Sequence, residues 1–245
     1  MVMSKKIKLL ISPRNLKEAE ITINSGVDYI DCKNPDEGSL GANFPWIIKQ
    51  MKKMINDREK QLLSATIGDF PNLPGSASLA ALGAAISGAD IIKVGLKGPM
   101  NESQGIYLMK NVVKAVKEYD DSIKVVAAGY ADYTRMNSSL SYLSIPKVAA
   151  ESGSDIAMLD TFIKDGKELF DFLSIDNLVE FVKQSKQQGL GVALAGNLKL
   201  ESLPKIKQIS PDIIGVRSVV CEGYDRTNGT IQDYLIQRLQ DELYR

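Results

Sequence analysis

Four segments of the chain repeat one pattern, in which a turn of small residues leads to an aspartate and then to an apolar run. Side chains along a β-strand alternate between two faces, so positions two and four after each aspartate share one face. That face is apolar in all four segments, whereas the face formed by positions three and five carries a charged side chain in each. The segments are SGVDYIDCK, SGADIIKVG, SGSDIAMLD and SPDIIGVRS, which begin their apolar runs at Asp28, Asp90, Asp155 and Asp212.

Short apolar strands and amphipathic helices alternate along the whole chain, which predicts one domain over residues 1–245. The predicted strands are Ile7–Ser12, Tyr29–Lys33, Leu62–Gly68, Ile91–Leu96, Lys124–Tyr130, Ile156–Thr161, Gly191–Gly196 and Ile213–Val219. The clearest predicted helices are Asn15–Ser25, Pro45–Ile55, Ser76–Ser87, Glu102–Glu118, Asn177–Gln188 and Ile231–Tyr244.

The four repeats are then strands two, four, six and eight of an α/β protein, and this order predicts a single-domain (β/α)8 TIM barrel. An open doubly wound sheet is the alternative. Its dinucleotide-binding form is disfavoured, because no G-x-G-x-x-G sequence follows the first strand.

Histidine is absent from the 245 residues, which removes imidazole acid–base pairs and most zinc sites. The 30 basic and 30 acidic side chains balance, which argues against a nucleic acid partner. Cys32 and Cys221 form no disulfide framework and fit a reducing cytoplasm. The first apolar run stops at Pro13 and is too short for a signal peptide or a membrane helix. We therefore expect a cytoplasmic protein without a membrane partner, whose catalysis rests on Lys, Asp, Glu, Tyr or Cys.

Charged side chains converge on the inner face of the predicted barrel near the carboxyl ends of its strands, where TIM-barrel active sites lie. A buried ion-pair network that only fixes packing is the alternative, but such networks add little net stability. Burial and neighbouring lysines lower the pKa of an amine, and a neutral amine attacks aldehydes and ketones to form a Schiff base. Pattern alone gives Lys33 and Lys93 the same claim to that role. The candidate catalytic residues are Asp31, Lys33, Lys93, Asp160 and Lys164.

Glycines and polar residues end strands seven and eight, and the loops after these strands form the common phosphate site of TIM barrels. A phosphorylated small-molecule substrate is therefore favoured. The predicted binding residues are Gly196, Asn197, Gly215, Arg217 and Ser218. Ser39, in the glycine-rich loop after strand two, is a further candidate near Lys93 for a second phosphate.

The strings DCKNPDEGSLGANFPW, IIKVGL, MLDTFIKDGKELFDFL and GVALAGNLKL resemble the (5-formylfuran-3-yl)methyl phosphate synthases of methanofuran biosynthesis. The resemblance covers essentially the whole chain. It implies a class I aldolase-like (β/α)8 barrel that uses no metal or other cofactor and joins two molecules of glyceraldehyde 3-phosphate into a furan aldehyde phosphate. It places the Schiff-base lysine at Lys33, the adjoining acid at Asp31, the strand-four lysine at Lys93 and the D-x-x-x-K pair at Asp160 and Lys164.

Three other functions remain open at this level. Asp31, Lys33 and Asp36 match the D-x-K-x-x-D motif of orotidine-phosphate decarboxylases. A deoxyribose-phosphate-type aldolase and a non-catalytic sensor of phosphorylated metabolites also fit the pattern. A homo-oligomer is expected only as the common habit of such barrels.

Overall fold

Eight parallel strands form a closed barrel in chain order, which confirms the predicted (β/α)8 fold and excludes the open sheet. The computed structural model describes residues 6–55, 61–137 and 139–245. The strands are β1 Lys8–Ile11, β2 Tyr29–Cys32, β3 Leu62–Phe70, β4 Ile91–Leu96, β5 Lys124–Tyr130, β6 Ile156–Asp160, β7 Gly191–Leu194 and β8 Ile213–Val216.

Helices surround the barrel and connect its strands. Asn15, Asn101 and Ser174 each accept a hydrogen bond from a backbone N–H of the first helical turn, which fixes where three of these helices begin. The helices are α1 Leu16–Asn24, α2 Pro45–Met54, α3 Pro74–Ile86, α4 Glu102–Tyr119, α5 Ser144–Ser152, α6 Ile175–Gln187, α7 Leu203–Ile209 and α8 Asp233–Tyr244. None of the helices in the described residues is both long and apolar enough to cross a membrane.

Alternate strand residues enter two separate apolar clusters, as the period of two predicts. Ile30 and Cys32 of β2 pack with the surrounding helices in the larger cluster. Tyr29 of β2 and Met158 of β6 belong to a smaller cluster inside the barrel. The charged face of the repeats therefore points into the barrel, and the apolar face lies under the helices.

The four repeated aspartates lie directly before the even-numbered strands and join neighbouring strands at the amino end of the barrel. Each carboxylate accepts the backbone N–H of a residue in the preceding strand, at distances of 2.8 to 2.9 Å, from Leu9, Leu63, Val125 and Val192. Each aspartate carbonyl accepts a backbone N–H at the start of the next strand around the barrel, at 2.8 to 3.1 Å, from Leu62, Lys124, Gly191 and Lys8. We call Asp28, Asp90, Asp155 and Asp212 the aspartate ring.

Two strand ends differ from the prediction. β8 ends at Val216, because the backbone of Arg217 (φ −142°, ψ −62°) leaves the extended conformation and enters a 3-10 helix over Ser218–Val220. The predicted alternation therefore fails at Arg217. β3 continues to Phe70 after a register shift between Thr66 and Asp69, so residues predicted to start a loop belong to the barrel.

Candidate active site

A buried ion pair joins β2 and β4 inside the barrel. Lys93 Nζ lies 2.6 Å from Asp31 Oδ1, and the two side chains are 2% and 1% exposed. Ser12, at the end of β1, donates its hydroxyl to the other Asp31 oxygen at 2.8 Å. The desolvated ammonium of Lys93 is thus matched by a carboxylate, which is the arrangement that a buried charge requires.

Lys33 is also buried, at 7% exposure, but no carboxylate contacts it at ion-pair distance among the described residues. Its Nζ donates to the carbonyl of Ser39 at 3.3 Å. Burial lowers the pKa of Lys33 to about 8; the charges of Asp160 and Asp31 oppose this shift, and those of Lys164 and Lys93 reinforce it. Roughly one molecule in ten then has a neutral Lys33 amine at pH 7, compared with well under one in a thousand for an ordinary lysine.

Asp160 and Lys164 form a second pair at the carboxyl end of β6, with 2.8 Å between Nζ and Oδ1. Burial would raise the pKa of Asp160, but the charges of Lys164 and Lys33 lower it to about 2. The backbone N–H of Thr161 also donates to this carboxylate at 2.7 Å. Asp160 is therefore ionised at neutral pH and holds the Lys164 ammonium beside Lys33.

One polar pocket brings together all five predicted catalytic side chains and five of the six predicted phosphate ligands. Its lining includes Asp31, Lys33, Lys93, Asp160, Lys164, Gly196, Asn197, Gly215, Arg217 and Ser218. The sixth predicted ligand, Ser39, is buried outside this lining: its hydroxyl donates to the Thr161 carbonyl at 2.8 Å and its N–H to Asp69 at 2.7 Å.

Arg217 lines this pocket, but its guanidinium is committed elsewhere. It forms an ion pair with Glu18 of α1 at 2.7 Å and donates to the backbone carbonyls of Ser12 and Arg226. Burial would raise the pKa of Glu18, yet the hydrogen bonds and charge of Arg217 and the backbone N–H of Arg14 hold it below its ordinary value. The pair therefore ties α1 to the segment after β8, and a phosphate would have to compete with Glu18 for this arginine.

Arg226 is a cation that the sequence patterns did not single out. It is half-buried, and its side chain lines both the polar pocket and an adjoining cavity of about 540 Å³. Burial lowers its pKa, and the charge of Asp160 opposes this effect. No carboxylate among the described residues pairs with its guanidinium, so Arg226 is better placed than Arg217 to accept an anion.

Backbone geometry also shapes the loop after β7. Gly196 has a φ of +109°, and a Cβ there would lie only 3.0 Å from a Thr161 carbon. Asn197 has a φ of +52°, and its side-chain amide donates to the Gly166 carbonyl at 2.8 Å. The backbone of both residues therefore reaches the pocket wall, where glycine permits close approach.

A sequence profile of the 4-HFC-P synthase family matches residues 9–240. The chain belongs to this family. A (5-formylfuran-3-yl)methyl phosphate synthase from Methanocaldococcus jannaschii is 53% identical over 233 residues, covering 95% of this chain and 98% of the relative. The proteins of that name from Methanosarcina acetivorans and Archaeoglobus fulgidus are 53% and 51% identical, covering 96% and 97% of this chain and 99% and 100% of theirs.

Solved structures outside the family share the barrel at low identity. KGPDC from Streptococcus mutans superposes with a TM-score of 0.66 at 15% identity, covering 98% of each chain. Orotidine 5′-monophosphate decarboxylase from Methanocaldococcus jannaschii gives 0.61 at 18% identity, covering 97% of this chain and 99% of that one. These similarities show the fold that the family shares with other TIM barrels.

Proposed function

We propose that the chain condenses two molecules of glyceraldehyde 3-phosphate into 4-(hydroxymethyl)-2-furancarboxaldehyde phosphate through a Schiff base at Lys33, in the biosynthesis of methanofuran. The atoms balance, because two C3H7O6P give C6H7O6P, one H3PO4 and two H2O. The observation that carries the proposal is the buried Lys33 amine, with its pKa near 8, between two lysine–carboxylate pairs.

In the first half-reaction, the neutral Lys33 amine attacks the aldehyde carbon of one triose phosphate, and water leaves to form the imine. The protonated imine acidifies the C2–H bond. The ionised carboxylate of Asp160 receives this proton, and the electron pair expels phosphate from C3. The product is an enol with a nucleophilic CH2 terminus.

In the second half-reaction, this CH2 carbon forms a bond to the middle carbon of the other triose. The carbon skeleton of the furan requires a carbonyl at that carbon, so this triose first isomerises. The proton on C2 moves to C1 and the proton of the C2 hydroxyl moves to the C1 oxygen, which makes C2 the carbonyl carbon and C1 the hydroxymethyl group. Ring closure by its terminal hydroxyl and loss of two waters complete the aromatic ring. Hydrolysis of the imine returns the water released when it formed. The Lys93 ammonium, held by Asp31, donates hydrogen bonds to the departing oxygens.

The phosphate that the product keeps is assigned to the loops after β7 and β8. Gly196, Asn197 and Ser218 supply backbone and side-chain donors there. The guanidinium of Arg226, which no carboxylate of the described ranges pairs with, supplies the charge. Asp36, the third member of the decarboxylase-like motif, is exposed and outside this pocket. This placement favours the synthase over the decarboxylase-like alternative.

The test is incubation with glyceraldehyde 3-phosphate while furan-aldehyde absorbance and free phosphate are followed together. Wild type should form the furan aldehyde and free phosphate in equal molar amounts. Borohydride should trap a covalent adduct on the peptide that contains Lys33. Lys33→Met, which keeps the side-chain length without the amine, should give neither product nor adduct.

Other outcomes would identify the rival functions. Turnover of orotidine 5′-phosphate without a trapped imine would favour the decarboxylase-like enzyme. Formation of an aldol product from the triose phosphate without phosphate release would favour the aldolase. Binding without any turnover would favour the sensor, and each of these three results would reject the proposal.

A further inference from the structure

Asp69 holds the loop that follows β2. Its carboxylate accepts the backbone N–H of Ser39 at 2.7 Å and that of Leu40 at 3.2 Å. The hydroxyl of Tyr130, at the end of β5, donates a hydrogen bond to the same carboxylate. Burial, reinforced by the charge of Asp69, raises the pKa of Tyr130 well above its ordinary value, so its hydroxyl stays protonated and remains a donor.

Ser39 connects this carboxylate to Lys33. Its carbonyl is the acceptor for Lys33 Nζ, and its hydroxyl reaches across the barrel mouth to the Thr161 carbonyl. All three polar groups of Ser39 are thus engaged, and each bond is made with a different element. We call residues 38–41 the cover loop, because they lie over the Lys33 amine.

Two glycines make room for this arrangement. Gly38 has a φ of +127°, and a Cβ there would overlap a carboxylate oxygen of Asp69. A Cβ at Gly95 of β4 would overlap the Tyr130 hydroxyl. This explains why a glycine occupies position 95 on the inward face of the repeats, because any larger residue would displace Tyr130 from Asp69.

We propose that Asp69 and Tyr130 are positioning residues for Lys33, which act by fixing the cover loop over its amine. The inference rests on the proposed function only in treating Lys33 as the imine-forming lysine. Neither residue lines the polar pocket, so the effect is transmitted through Ser39 and the loop backbone.

The direction of the effect follows from the environment of Lys33. The charged groups facing it are Asp160, Lys164, Asp31 and Lys93, and burial exceeds each of them in its effect on the pKa. Releasing the cover loop admits water and raises this pKa. Loss of the Ser39 acceptor acts the other way, but that hydrogen bond is long, at 3.3 Å, whereas burial has the largest effect on the pKa of Lys33. Each unit of increase lowers the neutral fraction at pH 7 about tenfold.

The experiment measures the reactivity of Lys33 directly. Formaldehyde with cyanoborohydride methylates neutral amines, and peptide mass spectrometry reports the rate at Lys33 from about pH 6 to about pH 11. Exposed Lys114 serves as the reference amine. The wild-type midpoint should be near 8; Asp69→Ala should raise it by about one unit or more, and Tyr130→Phe by less, with kcat lowered in parallel and KM little changed.

Two control variants separate positioning from general loosening. Asp155→Ala removes a carboxylate that also holds a backbone N–H, but at the opposite end of the barrel. Tyr142→Phe removes the hydroxyl of another buried tyrosine, one that lies outside the network. Both should leave the Lys33 midpoint unchanged.

The proposal would be overturned if the pH midpoint of Lys33 methylation in Asp69→Ala equals that in Asp155→Ala. This holds even if both variants have lower melting temperatures than wild type. If Asp69→Ala does not fold, an unshifted midpoint in Tyr130→Phe overturns it instead. Formaldehyde labelling needs no triose phosphate. A shifted midpoint in an enzyme that makes no furan would therefore reject the proposed function and still support the positioning role.

Discussion

Lys33 and Lys93 illustrate how partners, rather than position, distinguish two buried lysines. Both lie on inward-facing positions of repeated segments, and the sequence pattern gives them equal claims to catalysis. In the structure, Lys93 contacts Asp31 directly, whereas within the described residues Lys33 has only a backbone carbonyl as its hydrogen-bond acceptor. No directly paired carboxylate offsets the desolvation of Lys33, and its burial therefore biases its amine toward the neutral form.

That cost should be visible in the pH dependence of stability. The folded pKa of Lys33, about 8, lies below its unfolded value, so the unfolded chain binds more protons between these values. Below pH 8 the buried charge costs the folded state roughly 3 kcal/mol, and the cost disappears as pH rises through about 10.4. Denaturant unfolding should find Lys33→Met more stable than wild type at pH 7, with a difference that shrinks toward pH 10. A difference that does not change with pH would contradict this account.

The limits of sequence inference are clearest at single residues around the site. Period-two alternation predicted that Asp31, Lys33, Lys93 and Asp160 face inward, because neighbouring side chains on a strand must alternate. It did not reveal that Arg217 turns to Glu18, since the backbone leaves the strand at that residue. Arg226 and Asp69 also escaped notice, because chain folding that no local period encodes brings Arg226 to the pocket and Asp69 to the cover loop.

At the scale of elements, the eight strands and the six helices that were given bounds lie within a few residues of the prediction, whereas α5 and α7 had no predicted bounds. The repeated aspartates that marked the pattern have a structural role and not the chemical one that the repeat suggested. The aspartates were the markers of the repeat, but the site chemistry lies three to five residues later. The ring aspartates instead replace missing strand partners at the amino end, where backbone donors would otherwise be left unpaired.

Removing one ring aspartate should therefore cost stability without touching the chemistry. Asp155→Ala leaves the Val125 N–H without its acceptor and Lys117 and Lys124 without their shared carboxylate. We expect a loss of about 1 to 3 kcal/mol in the free energy of unfolding, measured by denaturant titration. Borohydride trapping at Lys33 should proceed at the wild-type rate, and slower trapping would show that the two ends of the barrel are coupled.

At the scale of the whole molecule, the two ends of the described chain meet where the barrel closes. β1 and β8 pair at four positions, and Lys8 donates its N–H to the carbonyl of Asp212. The Lys6 ammonium lies 4.1 Å from the centre of the Tyr244 ring, so a short linker can span the ends. The Glu18–Arg217 pair joins the same two parts of the chain near the active site.

A circular permutant tests whether the ring, rather than chain order, closes the barrel. In this permutant a Gly/Ser linker joins residue 245 to residue 6, and the new ends lie at Asp121 and Ser122. We expect its melting temperature to be within about 5 °C of that of wild type. All four carboxylate contacts lie within strand pairs that this cut leaves intact. A control opened inside β4, between Ile92 and Lys93, should not fold, and equal melting of the two would contradict the prediction.

The aspartate ring divides the barrel into four strand–helix–strand quarters, each fastened within itself and linked to the next by a carbonyl of the same residue. We therefore expect the order in which the ribosome synthesises these quarters to have little effect on the folded barrel. A coding sequence for this barrel could then start at the first strand of any of the four quarters.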